Sequence, residues 1–182
     1  HKKQKDFSSN KTLLFVGRLE KVKGIDLLLK AWTSIKNKKN WKLKIIGNGS
    51  LVNLIPKDDL SIEHINFIQP EKLSLEMNSS HAFILPSLFE PFGLVVHEAC
   101  LCSLPIISTN RVGSTNFFLI NNFNGILINI EKDPVRNLNF ALKELLNLDI
   151  NDLKKFSKRS EQLARRITPQ TSSNNLISLI EN

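Results

Sequence analysis

Along this chain, short apolar runs alternate with longer amphipathic stretches. TLLFVG (12–17), KLKIIG (42–47), INFIQ (65–69), HAFILPS (81–87), PIISTN (105–110) and GILIN (125–129) each have the length and composition of a buried strand. Among the stretches between them, IDLLLKAWTSIK (25–36) sets Leu28, Leu29, Trp32 and Ile35 along one helical face. GLVVHEACLC (93–102) is apolar on most sides and predicts a deeply packed helix. Such alternation predicts an α/β fold, a Rossmann-like parallel sheet of about six strands with helices on both faces. After residue 130 the strand pattern stops. PVRNLNFALKELLNL (134–148), NDLKKFSKRSEQLARR (151–166) and PQTSSNNLISLIE (169–181) predict closing helices, with Pro134 and Pro169 suited to first-turn positions.

The chain has 182 residues, enough to bury one core, and 41% hydrophobic with 23% charged residues excludes general disorder. The opening HKKQKDFSSN (1–10) is polar and reads as a linker or tag remnant, leaving 11–182 as the domain. No run approaches the roughly 20 apolar residues of a membrane span and no signal-peptide pattern opens the sequence. The expectation is a cytoplasmic chain, with the inner face of the membrane as an alternative placement. A formal charge of +8 favours anionic partners. Lys154, Lys155, Lys158, Arg159, Arg165 and Arg166 concentrate that charge on one predicted helix, which reads first as a solvated face and second as a patch for acidic lipids. Nucleic acid is not the expected partner, because Tyr is absent and the Phe residues sit mostly in apolar runs. Cys100 and Cys102 have neither zinc-knuckle nor redox spacing and are expected to be buried free thiols.

Ligands of an open parallel sheet bind beyond the carboxyl ends of its strands. There the sequence gathers Gly17-Arg18, Gly47-Asn48-Gly49, Gln69, Ser87 to Gly93 and Arg111-Val112-Gly113. Loops are rich in such residues in any case. Within VGRLEKVKGIDLLLKAW (16–32), Gly17 lets backbone approach a ligand, Arg18 offers a planar fork for phosphate oxygens, and Lys23 adds a point charge before the helix that Gly24 opens. A diphosphate fits such a place, and so does an unremarkable surface turn. Neither a Walker loop nor G-x-G-x-x-G is present.

Glu90 and Glu98 flank PFGLVVH. Were 90–98 all helix, the two would stand about 12 Å apart, beyond the about 5 to 9.5 Å of glycosidase pairs. Two separated acceptors suit hydroxyls at both ends of an elongated ligand, with the backbone amides of Phe92, Gly93 and Leu94 facing phosphates between them. Glu98 in an apolar helix needs a partner to offset desolvation, and a structural salt bridge would also supply one.

GRLEKVKG, then SLFEPFGLVVHEA with its E-x7-E spacing, then GSTNFFLINNFNGILI together resemble the C-terminal, donor-binding half of family 4 retaining glycosyltransferases, enzymes of GT-B fold. The likeness is strong from Lys11 to Ile130 and loose beyond. It implies that Arg18 and Lys23 grip a donor diphosphate and that Glu90 contacts the transferred sugar, making these three the catalytic group. By the same resemblance Phe92, Gly93 and Leu94 lend amides, Glu98 accepts the ribose hydroxyls, and Gly17, Gly47, Asn48, Gly49 and Gln69 line the nucleotide. It further implies a nucleotide-sugar donor, no cofactor and no metal. Basic groups and helix ends would neutralise the leaving group, and polysaccharide or glycolipid assembly would be the setting.

The chain departs from the pattern in places. Ser114 and Asn116 stand where a second glycine and a glutamate are common, GNGS replaces a glycine-acidic-glycine-proline turn, and Gln69 replaces a frequent glycine. An acceptor-binding N-terminal domain, which would choose a saccharide or lipid-linked acceptor and provide any peripheral membrane contact, is not in the sequence. The isolated domain is expected to transfer little by itself. A catalytically inactive nucleotide- or partner-binding module is the alternative.

Overall fold

A computed structural model of the chain describes residues 6–7 and 10–167. Six strands, β1 (Lys11–Val16), β2 (Trp41–Ile46), β3 (Ile62–Ile65), β4 (Ala82–Leu85), β5 (Ile106–Thr109) and β6 (Gly125–Ile128), form one parallel sheet in the order β3-β2-β1-β4-β5-β6. The helices are α1 (Ile25–Thr33), α2 (Pro70–Ser79), α3 (Leu94–Leu101), α4 (Thr115–Phe118), α5 (Pro134–Asn147) and α6 (Ile150–Ala164). From β1 the chain moves outward to β2 and β3, then returns past β1 to β4 and continues to β5. Right-handed crossovers in these opposite directions put α1 on one face and α2 and α3 on the other. Accordingly α1 packs against α5, and α3 against α6.

Leu13, Leu14 and Phe15 of β1 and Phe83, Ile84 and Leu85 of β4 are buried in succession, as expected of strands covered on both faces. Leu28, Leu29, Trp32 and Ile35, the predicted apolar face, are all buried. The helix itself stops at Thr33, where the hydroxyls of Thr33 and Ser34 donate back to the carbonyls of Leu29 and Ala31.

The third strand lies earlier than the predicted 65–69. Its residues pair with β2 from Leu43↔Ile62 to Ile46↔Ile65, and beyond Ile46 the chain turns away at Gly47, so 66–69 have no strand to pair with. Phe67 is therefore exposed. Helix α2 had no clear periodic signal, since Met77 is its single fully buried residue. Gly93, at φ 83°, caps α3, which begins at Leu94. Phe7, inside the stretch read as a linker, is buried edge-on against His81, whose Nε2 contacts the Asp6 carbonyl. The predicted helix 169–181 lies outside the described residues.

Candidate functional site

Connections leave the carboxyl end of β1 and of its neighbour β4 toward opposite edges of the sheet, which makes their loops the switch point beside which ligands of such sheets bind. The β1–α1 loop is fixed first. Gly24 has φ 68°, and a Cβ there would stand 2.1 Å from the Pro86 carbonyl oxygen, so only glycine lets this turn lie against the end of β4. The Leu88 amide donates to the Val22 carbonyl at 2.8 Å. Side chains from the two loops then meet: Lys23 Nζ donates to Glu90 Oε2, both groups being less than a fifth exposed.

Glu90 precedes α3 and is held as an isolated parallel bridge to Val112, its amide donating to Arg111 and its carbonyl accepting from Gly113. The all-helical spacing considered for Glu90 and Glu98 thus does not apply. A Cβ on Gly93 would come within 2.8 Å of Val112 Cγ1, and one on Gly113 within 2.1 Å of the Pro91 carbonyl oxygen. Ser114, standing where a glycine is common, donates its hydroxyl to the Gly93 carbonyl and its amide to Phe92. These contacts fix the start of α3, which no side chain caps and whose first amides have no intrahelical acceptor.

On the β2 side, a hollow of about 350 Å³ is lined by Gly17, Arg18, Gly47, Asn48, Phe67 and Leu73, among others. Gly47 abuts Gly17, where a Cβ would meet the Gly17 oxygen at 2.0 Å, and the Leu19 amide donates to the Asn48 carbonyl at 2.8 Å. Arg18 is exposed at the rim. Glu20, in the same loop, has its carboxyl held below the usual range chiefly by the Ser50 hydroxyl and amide, with a smaller contribution from the Arg18 charge.

A second hollow of about 280 Å³ lies between α2 and α3, lined by Leu73, Met77, Glu98 and Cys102. Leu73 borders both hollows, so they are neighbours. Half-buried Glu98 makes no side-chain hydrogen bond or ion pair within the described residues, so the structural salt bridge considered for it is absent there. Of the two thiols, Cys100 is buried, and burial pushes its pKa up to about 12. Cys102 differs from expectation, being only partly buried because it follows the last turn of α3.

The structure therefore brings Lys23 to Glu90, and gathers Gly17, Arg18, Gly47 and Asn48 around one hollow with Glu98 in the next. Phe92 and Leu94 are exposed where α3 begins. Gly49 and Gln69 do not line either hollow: Gly49 is pressed against the Leu19 backbone, and exposed Gln69 precedes α2. Phe67, Ile68 and Leu73 are lining residues the sequence did not single out, because Phe67 and Ile68 read as part of a buried strand and the stretch holding Leu73 carries no clear periodic signal.

A family model described as glycosyl transferases group 1 matches residues 1–163. An uncharacterised glycosyltransferase of Haemophilus influenzae is 35% identical over 144 residues, 76% of this chain and 40% of that protein. The chain spans less than half the length of the curated relatives it matches. Among solved structures, the pneumococcal O-GlcNAc transferase GtfA in complex with UDP and GlcNAc superposes with a TM-score of 0.81 at 22% identity, covering 97% of this chain and 37% of that one. The C-terminal domain of the group 1 glycosyl transferase LpcC from Francisella tularensis gives 0.74 at 20% identity, covering 86% of this chain and 85% of that domain.

Proposed function

This chain belongs to the glycosyl transferases group 1 family, and from that premise we propose that it is the donor-nucleotide half of a retaining hexosyltransferase. The donor is a nucleotide-diphosphate sugar, and the acceptor is a saccharide or lipid-linked sugar held by a second domain. The single observation that carries this reading is the contact of Lys23 with Glu90, which joins the loops after β1 and β4 at the switch point of the sheet. A cation and an acceptor side by side suit the point where a sugar joins its diphosphate, and that supports the reading.

In this reading the base enters the hollow at Gly47 and Asn48, the ribose hydroxyls reach Glu98, and Arg18, Lys23 and the first amides of α3 face the diphosphate. Bond cleavage puts negative charge on the departing phosphate and positive charge on the anomeric carbon. Arg18 and Lys23 stabilise the first, and Glu90, on the sugar side, orients the second; preorganised charges of this kind act without reorganising during the step. Metal is not required, since the cationic side chains do the neutralising. The exposed cations of α6 give the whole protein a peripheral contact with anionic membrane, in keeping with a lipid-linked acceptor.

Calorimetric titration with uridine, guanosine and adenosine diphosphates tests the proposal. One of the three is expected to bind saturably, and Arg18→Ala with Lys23→Ala to weaken it by a factor of about 100, as for loss of two charge-assisted contacts. Absence of binding by all three to the folded wild-type chain, or indifference to the double substitution, overturns it.

A further inference from the structure

The wall of the first hollow ends in a carbonyl that has left the sheet. The Gly47 amide continues the β2–β3 ladder by donating to Ile65, but with φ at 142° the residue turns the chain, and its own carbonyl is taken by a side chain, His64 Nε2 at 2.9 Å. Because the acceptor is a carbonyl, Nε2 must carry the hydrogen; neutral and cationic rings can both donate there. Buried carbonyls need a partner, and Gly47 is buried.

The other side of the same segment has no room to adjust. Gly47 is jammed on the Gly17 carbonyl, and the Asn48 carbonyl receives the Leu19 amide. Gly47 and Asn48 are thus clamped by backbone toward β1, and toward β3 by the Gly47–Ile65 backbone bond together with one side chain. Half-buried His64 itself faces a different hollow, beside Asn53, Ile55, Pro56 and Ile62, and does not line the one beside Arg18.

We infer that His64 is a positioning residue, which fixes the Gly47–Asn48 wall of the nucleotide hollow through the Gly47 carbonyl without touching the ligand. This rests on the proposed donor-binding role for its consequence in binding, but the clamp itself can be measured without any ligand. The chain reaches this arrangement because β3 sets His64 beside Ile45, two residues before Gly47 on the neighbouring strand.

Amide hydrogen exchange on the whole chain tests the clamp. In His64→Ala the Gly47 and Leu19 amides are expected to exchange about tenfold faster, the loss of roughly one hydrogen bond, while the Ile84 amide in β4 is unchanged. His64→Gln, which keeps an N–H donor, should bring both within about threefold of wild type. If His64→Ala does not fold, His64→Phe keeps the ring volume without the donor and carries the same comparison. Wild-type exchange at Gly47 and Leu19 in the donor-free variant, or no recovery in His64→Gln, overturns the inference.

A binding arm separates this claim from the function beneath it. The nucleoside diphosphate found by titration should bind about tenfold more weakly to the donor-free variant, and inorganic pyrophosphate equally to both. Equal weakening of both probes overturns the inference, because it marks a general loss rather than a displaced wall. If the wild-type chain binds no nucleoside diphosphate, the donor reading falls, and the exchange rates still decide whether His64 holds the loop.

Discussion

The two flanks of β1 are held together by different means. Toward β4 and β5, backbone meets backbone: Gly24 against Pro86, Gly113 against Pro91, and Glu90 hydrogen-bonded to both Arg111 and Gly113. Toward β3 and α2 the backbone ladder ends with Gly47 donating to Ile65, and side chains add the further links: His64 to Gly47, Trp32 to Ser61, and Lys44 to Glu76. Backbone contacts at glycine leave no slack, because any Cβ must displace main chain, whereas a side-chain link can be lost with little else moving. The difference teaches that the β4 side of the proposed site rests chiefly on backbone contacts at glycine, whereas the β3 side adds individual side chains to the backbone that holds it.

Gly24→Ala strikes the first flank at its tightest point. A left-handed φ and a Cβ 2.1 Å from the Pro86 oxygen should together cost about 3 kcal/mol or more of unfolding free energy. Gly17→Ala is the control within the same loop, since its Cβ would meet nothing closer than the Phe15 ring at 3.6 Å and its φ is ordinary. A loss below about 1 kcal/mol is expected there. Urea unfolding of the pair checks the ordering, and equal midpoints would break the contrast between the flanks.

The same difference explains what could be read from sequence. Glycine and proline positions announce backbone contacts locally, so Gly24, Pro91, Gly93 and Gly113 marked the loops around Lys23 and Glu90 before any coordinates. The parallel sheet was legible for a related reason, because strands buried on both faces, such as β1 and β4, are continuously apolar. Side-chain links leave no such trace: Trp32 and Ser61 lie 29 residues apart and Lys44 and Glu76 lie 32 apart. The shift of β3 to Ile62–Ile65 and the exposure of Phe67 followed from the length of β2, which no property of INFIQ encodes.

Trp32→Phe probes the second flank. Trp32 is fully buried and its indole N–H donates to Ser61 Oγ at 3.0 Å, tying α1 to the entry of β3. Losing that bond and part of the ring volume should cost about 1–2 kcal/mol. Amide exchange should rise at Ile62 and Leu43, which lie on the β2–β3 seam, and stay unchanged across β4 and β5. Acceleration across the whole sheet would show that the two flanks unfold as one unit and that the distinction drawn between them has no energetic content.

Lys44 gives the smallest effect and the one with a defined pH window. Burial acts to lower its pKa from the usual 10.5, but the hydrogen bond and charge of Glu76, with Glu63 adding charge, outweigh it and leave the folded value raised. A raised folded value means that the ammonium is favoured by folding. Its contribution is therefore complete below about 10.5, the unfolded value, and is lost as the pH climbs through the folded one. Partial exposure and solvent screening keep the contribution at about 0.5 kcal/mol or less. The stability difference between wild type and Lys44→Met should accordingly be flat from pH 6 to 9 and shrink only above about 10.5. A difference that already changes near neutral pH would mean that another titrating group governs the link from β2 to α2, and the β3 flank would then have a second determinant beside the lysine.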